Sequence, residues 1–179
     1  MACLNNYTLT GILADCNPNL AGIQEAYIGY YGDFNVGIDA TAHTVSAITS
    51  AAGATTGKFE KYTFAKQTGS LTSTLTKDEA NGTRYYTNQV VLQFSKMEAR
   101  KHLEIEALSA EQLVAIIKDN NNKYWFVGYD GYLSAAEATA QSGQSYDDLN
   151  GYNTTMNAMS AYLPFEITYS QFSSLIDND

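Results

Sequence analysis

Residues 62–108 read YTFAKQTGSLTSTLTKDEANGTRYYTNQVVLQFSKMEARKHLEIEAL, and the fold follows from how this stretch divides. From Leu71 the side chains alternate. Leu71 and Leu75 fall on one side, and Thr72, Thr74 and Thr76 on the other. β-Branched Thr at period two suits a pleated strand with a wet or cross-strand-paired face. Residues 77–82 (KDEANG) end in Asn-Gly, the dipeptide that tolerates the positive φ of a tight hairpin turn. A second run follows over residues 85–95, with Val90, Leu92 and Phe94 facing one way and Gln89, Val91 and Gln93 the other. The stretch therefore predicts a long hairpin with a polar, charged tip.

Residues 96–108 carry two periodicities. Met97, Lys101, Ile105 and Leu108 form a helical stripe, with Glu98–His102 and Arg100–Glu104 at i,i+4 spacing. Leu103, Ile105 and Ala107 also alternate with charged neighbours as a strand would. The helix is the favoured reading, because the charge pairs have a mechanism there.

Further strands are expected over residues 26–31, 36–38, 44–48 and 58–66. A bend or bulge is expected at 67–69. Residues 50–57 (SAAGATTG) and 134–143 are small and polar, so they read as loop and surface cover. Leu113-Val114-Ala115-Ile116-Ile117 is a continuous apolar run and predicts a buried strand. Asp119-Asn120-Asn121-Asn122 turns it back into Lys123-Tyr124-Trp125-Phe126-Val127, the clearest hairpin of the chain. Residues 152–159 alternate Tyr152, Thr154, Met156 and Ala158 on one face. Residues 165–172 read as a last edge strand after Pro164. With 14 Tyr, frequent Thr and 2 Pro in 179 residues, the composition leans toward β. The chain is long enough for a core without staples, and no repeat or linker divides it, so one domain over residues 1–179 is expected.

The net charge is −9. All ten Lys and Arg lie between Lys58 and Lys123, and the segments on either side carry acids alone. Six of the ten (Lys66, Lys77, Arg84, Lys96, Arg100, Lys101) sit inside residues 62–108. Net acidity argues against gripping nucleic acid, which needs clustered bases on phosphates, but suits a wall that lets DNA pass. It also suits copies whose acidic and mildly basic surfaces meet.

Chemical motifs are sparse. Cys3 and Cys16 have no metal-ligand spacing and read as thiols rather than a disulfide. His43 and His102 are the two histidines, and neither stands in a pattern for nucleophilic catalysis. No phosphate-binding glycine motif occurs. No catalytic, cofactor-binding or metal residue is therefore assigned, and no cofactor is expected. Asp147-Asp148-Leu149-Asn150 offers oxygens for a weak cation site or for an Asx turn, and the turn is favoured. Asp119–Lys123 lacks the Glu of a calcium loop. Tyr124-Trp125-Phe126 with Tyr129 and Tyr132 suits either a sugar-binding platform or a core, and the core is favoured. Asn6, Asn81 and Asn153 open Asn-x-Thr triplets that matter only in a secretory pathway. Residues 1–11 show no secretory signal, and no run is long and apolar enough to span a membrane.

The order of these features resembles the tail-tube-like ring proteins of bacteriophages infecting gut Bacteroidetes, the crAss-like phages. The hairpin block KQTGSLTSTLTKDEANGTRYYTNQVVLQF comes first, then the charged helix, LVAIIKDNNNKYWFVG and DDLNGYNTTMNA. The opening MACLNNYTLTGILADCNPNLAGIQEAYI is also similar. The best marks are Asn122-Lys123-Tyr124-Trp125-Phe126 and Asp148-Leu149-Asn150-Gly151-Tyr152. The resemblance implies a mainly β, tail-tube-like sandwich or barrel with a long hairpin and one flanking α-helix. It implies a non-enzymatic virion protein of the tail or head–tail connector, forming a homo-oligomeric ring (hexamer or dodecamer) beside neighbouring tail, ring or portal proteins. Genomic DNA passes without specific binding, no membrane is involved, and residues 66–84 reach over a neighbour. The alternative is a carbohydrate-binding or adhesin-type β module using Trp125.

Overall fold

The computed structural model describes residues 11–14 and 17–177, so the question of a Cys3–Cys16 pair and the Asn6 triplet lie outside the described residues. The protein is mainly β and is built on two sheets. The first half supplies β1 (Ile23–Tyr30), β2 (Phe34–Asp39), β3 (Thr44–Ser50) and β4 (Glu60–Thr63). The long hairpin is β5 (Gly69–Asp78) and β6 (Thr83–Ser95), followed by α1 (Ala99–Ala110). Then come β7 (Leu113–Asp119), β8 (Tyr124–Val127), β9 (Ser134–Gln141), β10 (Gly151–Ser160) and β11 (Phe165–Ile167). A one-turn helix α2 (Tyr169–Phe172) runs into a 3-10 turn (Ser173–Leu175). Seven strands pair in the order β2-β3-β11-β8-β7-β1-β4, and four in the order β5-β6-β10-β9.

The apolar run of β7 explains how these sheets are arranged. Leu113 to Ile117 are all buried, so both faces of the strand are covered. On one face Ala115 and Ile117 join Ala26, Ile28 and Val127 against Val90, Leu92, Met156 and Ala158 of the four-stranded sheet. On the other face Val114 and Ile116 join Tyr27, Phe126, Phe165 and Phe172 in a second core. Each fully buried large side chain of this kind stabilises by roughly 1.5–3 kcal/mol, so neither core is an ornament of the other. Gly29 serves the second core. The Phe34 ring lies 2.6 Å from where its Cβ would sit, and Phe34 stacks on Phe59 at 4.0 Å.

The hairpin, α1, the β7–β8 pair and β10 follow the sequence reading. Tyr152, Thr154, Met156 and Ala158 share the buried face of β10 as their alternation predicts. In α1 Leu108 is buried and Ile105 packs on the first core. The expected i,i+4 charge pairs do not form, however. Glu98 pairs instead with Lys96 (2.5 Å) and Lys101 (3.9 Å), and Glu104 accepts a hydrogen bond from Tyr62 (3.2 Å).

Three expectations are corrected. Residues 134–143 are not loop cover: β9 pairs along β10 with a bulge at Thr155/Met156. Residues 165–172 are not an edge strand. β11 lies between β3 and β8, and the chain then turns into α2, where Thr168 and Gln171 form a capping box. The strand expected over 58–66 shortens to β4, while Phe59 makes its own parallel bridge to Ile176. Both late elements are drawn in by the second core, which needs Phe165, Ile167, Phe172 and Ile176.

Asp33 ties the β1–β2 turn to residues 55–57. Its carboxylate, 5% exposed, accepts hydrogen bonds from the N–H groups of Thr55 (2.9 Å), Thr56 (2.9 Å) and Gly57 (3.0 Å). Burial opposes its ionisation, but these three donors hold its pKa below the ordinary carboxylate value. A carboxylate with a depressed folded pKa stabilises above the unfolded value, and that contribution is lost as pH falls through the folded one. Asp33→Asn should therefore lower stability at pH 7 by about 2 kcal/mol and flatten the loss of stability below about pH 4 in urea titrations. An unchanged acid limb would show that another group governs it. Thr154 presents the converse case. It is fully buried, and among the described residues its Oγ1 has no hydrogen-bond partner. Thr154→Val should raise stability by about 1 kcal/mol in the same measurement, and a loss of that size would show a bonded hydroxyl.

Candidate assembly surface

The four-stranded sheet has one covered face and one bare one. Its strands alternate in direction, since β5–β6, β6–β10 and β10–β9 are all antiparallel. Residues opposite one another share a face, so Val90, Leu92, Met156 and Ala158 define the covered side. The other side carries Thr72, Thr74 and Thr76 of β5, and Thr87, Gln89 and Gln93 of β6. It continues with Asn153, Thr155 and Asn157 of β10, and Glu137, Thr139 and Gln141 of β9. Apart from Asp78 at the hairpin tip, Glu137 is the charged residue on these strands' bare face among the described residues. The sheet therefore presents neutral donors and acceptors. Met159, 67% exposed, and half-buried Val91 add apolar spots.

Among the described residues nothing pairs with the outer side of either sheet edge, β5 or β9. A free edge is a row of backbone donors and acceptors ready for another strand. The sequence reading found the β5 strand, though not its place at an edge, and missed β9. The missed signal was alternation of small residues, with Ala135, Ala138 and Ala140 on the inward side of β9 and Glu137, Thr139 and Gln141 outward. Alanines bury too little to mark a strand in sequence.

The hairpin tip runs past the sandwich. Tyr86 is the last β6 residue opposite β10, so residues 76–85 project beyond it. The tip is polar and charged as the sequence suggests, but its charges balance. Lys77 pairs with Glu79 at 2.6 Å, and Arg84 donates to the Tyr86 hydroxyl at 3.1 Å. Asp78 accepts hydrogen bonds from the Asn81 side chain and from the backbone N–H groups of Asn81 and Ala80. These hold its pKa below the ordinary value. Two bases and two acids leave the tip neutral, and Lys77, Asp78 and Glu79 bond within it. Leu75, at its base, is 48% exposed.

The other singled-out residues fall elsewhere. The His43 ring stacks on Phe165 at 4.4 Å, and the His102 ring meets Tyr152 edge-on at 5.3 Å. Asp119 organises its turn: Oδ1 accepts from the N–H groups of Asn121 and Lys123 (both 2.8 Å), and Oδ2 accepts from the Trp125 indole N–H (3.1 Å). Trp125 is thus half-buried with its polar handle engaged, while Phe126 is core and Tyr132 is exposed. Asp148 Oδ2 accepts from the N–H groups of Gln144 and Ser145 (both 2.8 Å), four and three residues earlier, which lower its pKa; it closes a local loop, though not the Asx turn expected. Among the described residues no three His, Cys, Asp or Glu side chains gather as a metal site would need, and no helix is long and apolar enough to cross a membrane. In comparisons with known proteins, no family model, curated protein or solved structure matches the chain.

Because residues 76–83 lie beyond the last β6–β10 pair, replacing them by a two-residue turn should leave the monomer folded, with its melting temperature within a few degrees of the parent. Assembly measured by native mass spectrometry should be impaired. A monomer unfolded by this deletion would place the tip in the core instead.

Proposed function

We propose that the protein is a non-enzymatic structural subunit that closes side by side into a ring around a channel, as a component of a bacteriophage tail or head–tail connector. The observation that carries this reading is the pair of free edges on the four-stranded sheet. β5 and β10 run one way and β6 and β9 the other. A rotation about an axis roughly along the strands preserves those directions. It therefore sets β9 of one copy antiparallel to β5 of the next, and the ladder continues unchanged. Such a head-to-tail contact uses the same pair of patches on every copy, closes on itself and leaves no edge exposed.

The covered face of the sheet is committed to the core, so the bare face lines the channel. Its wall is then neutral and hydrogen-bonding rather than acidic, as the charge distribution alone suggested. A wall without clustered bases gives phosphates nothing to condense on. The projecting tip lies where it meets the neighbouring copy or the next ring. The resemblance to tail-tube-like ring proteins points the same way, and it supplies the virion setting.

Charge exchange tests the edges. Thr72→Lys with Thr74→Lys places two exposed cations on β5, and Thr139→Glu with Gln141→Glu places two anions on β9. Each cross-strand charge contact is worth about 0.2–1 kcal/mol, repeated at every junction of a ring. In native mass spectrometry the parent should give closed multiples of the 19.6 kDa chain. The Lys chain alone should fall to monomer, and the chain carrying all four changes should close again. A strictly monomeric parent, or a Lys variant that assembles like it, would overturn the reading.

A further inference from the structure

A groove of about 780 Å³ opens beside β2, on the seven-stranded sheet rather than the four-stranded one. Phe34 and Val36 of β2 and Phe126 of β8 line its apolar part, and Tyr31, Tyr129 and Asp130 come from the turns beside it. Asp130 is the one charged residue along the groove, and no base lines it. The groove between β4 and α1 differs in this respect. Glu60, Glu98 and Glu104 meet Lys61, Arg100 and Lys101 there, so its charges balance.

Three rings of this groove are braced by other rings. Phe34 stacks on Phe59 with centroids 4.0 Å apart, Tyr129 meets Phe165 edge-on at 5.6 Å, and Tyr31 meets Tyr132 edge-on at 5.8 Å. The Tyr31 N–H also donates to the Gln112 carbonyl (2.8 Å). Asp130 is fixed too, because its Oδ2 accepts from the Ala161 N–H (2.7 Å). Gly128, with φ +101°, brings the turn that carries Tyr129 and Asp130 close onto β7, where a Cβ would meet Val114 at 3.1 Å. Yet Tyr31 is 40% exposed, and Phe34 and Tyr129 are half-buried. Aromatic surface that is wet but already ordered costs little entropy to cover.

We propose that this groove binds a small organic cation: a quaternary or fully alkylated ammonium group on an apolar body. Ring faces attract a cation through their quadrupole, and an ammonium without N–H groups asks for no hydrogen bond that the rings cannot give. Phe126 and Val36 offer the apolar body a dry floor, and Asp130 supplies one opposite charge at the rim, where it stays solvated. An anion would meet no base here, and a neutral ligand would gain nothing from the carboxylate. The six residues named come from segments 1–57 and 124–179, which carry acids and no base, so the wider field has the same sign as Asp130. The site uses neither β5 nor β9 and is complete in one copy.

The test is a saturation-transfer NMR titration of the full chain with choline and with neohexanol, its uncharged analogue in which carbon replaces nitrogen. Choline should bind about tenfold more tightly than neohexanol. Asp130→Asn keeps an acceptor for the Ala161 N–H and should weaken choline without changing neohexanol. Thr49, an exposed residue at the groove, allows a second variant. Thr49→Lys places a base there and should abolish choline binding while the melting temperature stays that of the parent. No choline binding to the parent, equal binding of the two probes, or a Thr49→Lys chain that binds choline like the parent would overturn the proposal. Tighter binding of N-acetylarginine amide than of choline would mark the site as one for a protein partner's side chain and overturn it as well. Choline binding should persist in the chain with Thr72→Lys and Thr74→Lys, which separates this site from the ring reading.

Discussion

Everything in this subunit depends on β7 and β1 being buried on both faces. A strand covered on one side needs one partner layer, whereas these need two. The four-stranded sheet supplies the first through Val90, Leu92, Met156 and Ala158. The second is gathered from distant parts of the chain: Val45 and Ile48 from β3, Phe59 from just before β4, and Phe165, Ile167, Phe172 and Ile176 from the end. That demand explains why a three-residue strand is inserted in the middle of a sheet, and why the chain turns into a short helix after it. Non-local burial outweighs the local preference of residues 168–172 for an extended edge.

The same arrangement makes the four-stranded sheet one-sided. Its apolar face is used up inside the molecule, while its other face carries Thr, Asn and Gln. Neutral polar groups on a flat sheet are comfortable in water and also pair readily with further backbone or side-chain partners. Among the described residues both of its edges are unpaired. The seven-stranded sheet is open only at short stretches: β4 is four residues long and borrows Phe59's bridge to Ile176, and β2 borders the aromatic groove.

Six of the ten bases find a carboxylate within the subunit. The bases that stand out in the sequence as a block are distributed among neighbours. Lys61 and Lys118 both reach Glu25, Lys123 reaches Glu166, Lys96 and Lys101 reach Glu98, and Lys77 reaches Glu79. Exposed pairs of this kind contribute little to stability, but they remove the basic patch that a count of residues suggests. Burial raises the Tyr62 pKa, and the Glu104 carboxylate that it donates to raises it further. Those two side chains link β4 to α1.

The sequence by itself determined the elements whose signal is local. Asn81-Gly82 and the alternating residues on either side of it specify the hairpin. The run from Leu113 to Ile117 specifies a strand with no wet face, whereas α1 was favoured over a strand on i,i+4 charge pairs that do not form, and it is Ile105 and Leu108 on the first core that hold it. Asp119 specifies its turn, because a short carboxylate bonds the N–H groups nearest to it. Only the tertiary structure decided the rest. Ala135, Ala138 and Ala140 are too small to announce β9, so that edge exists because β10 pairs with it. The placement of β11 follows from a core that no window of sequence displays. The neutrality of the bare face depends on which residues of four separate strands stand side by side, and net charge, a sum over the whole chain, carries no record of that register.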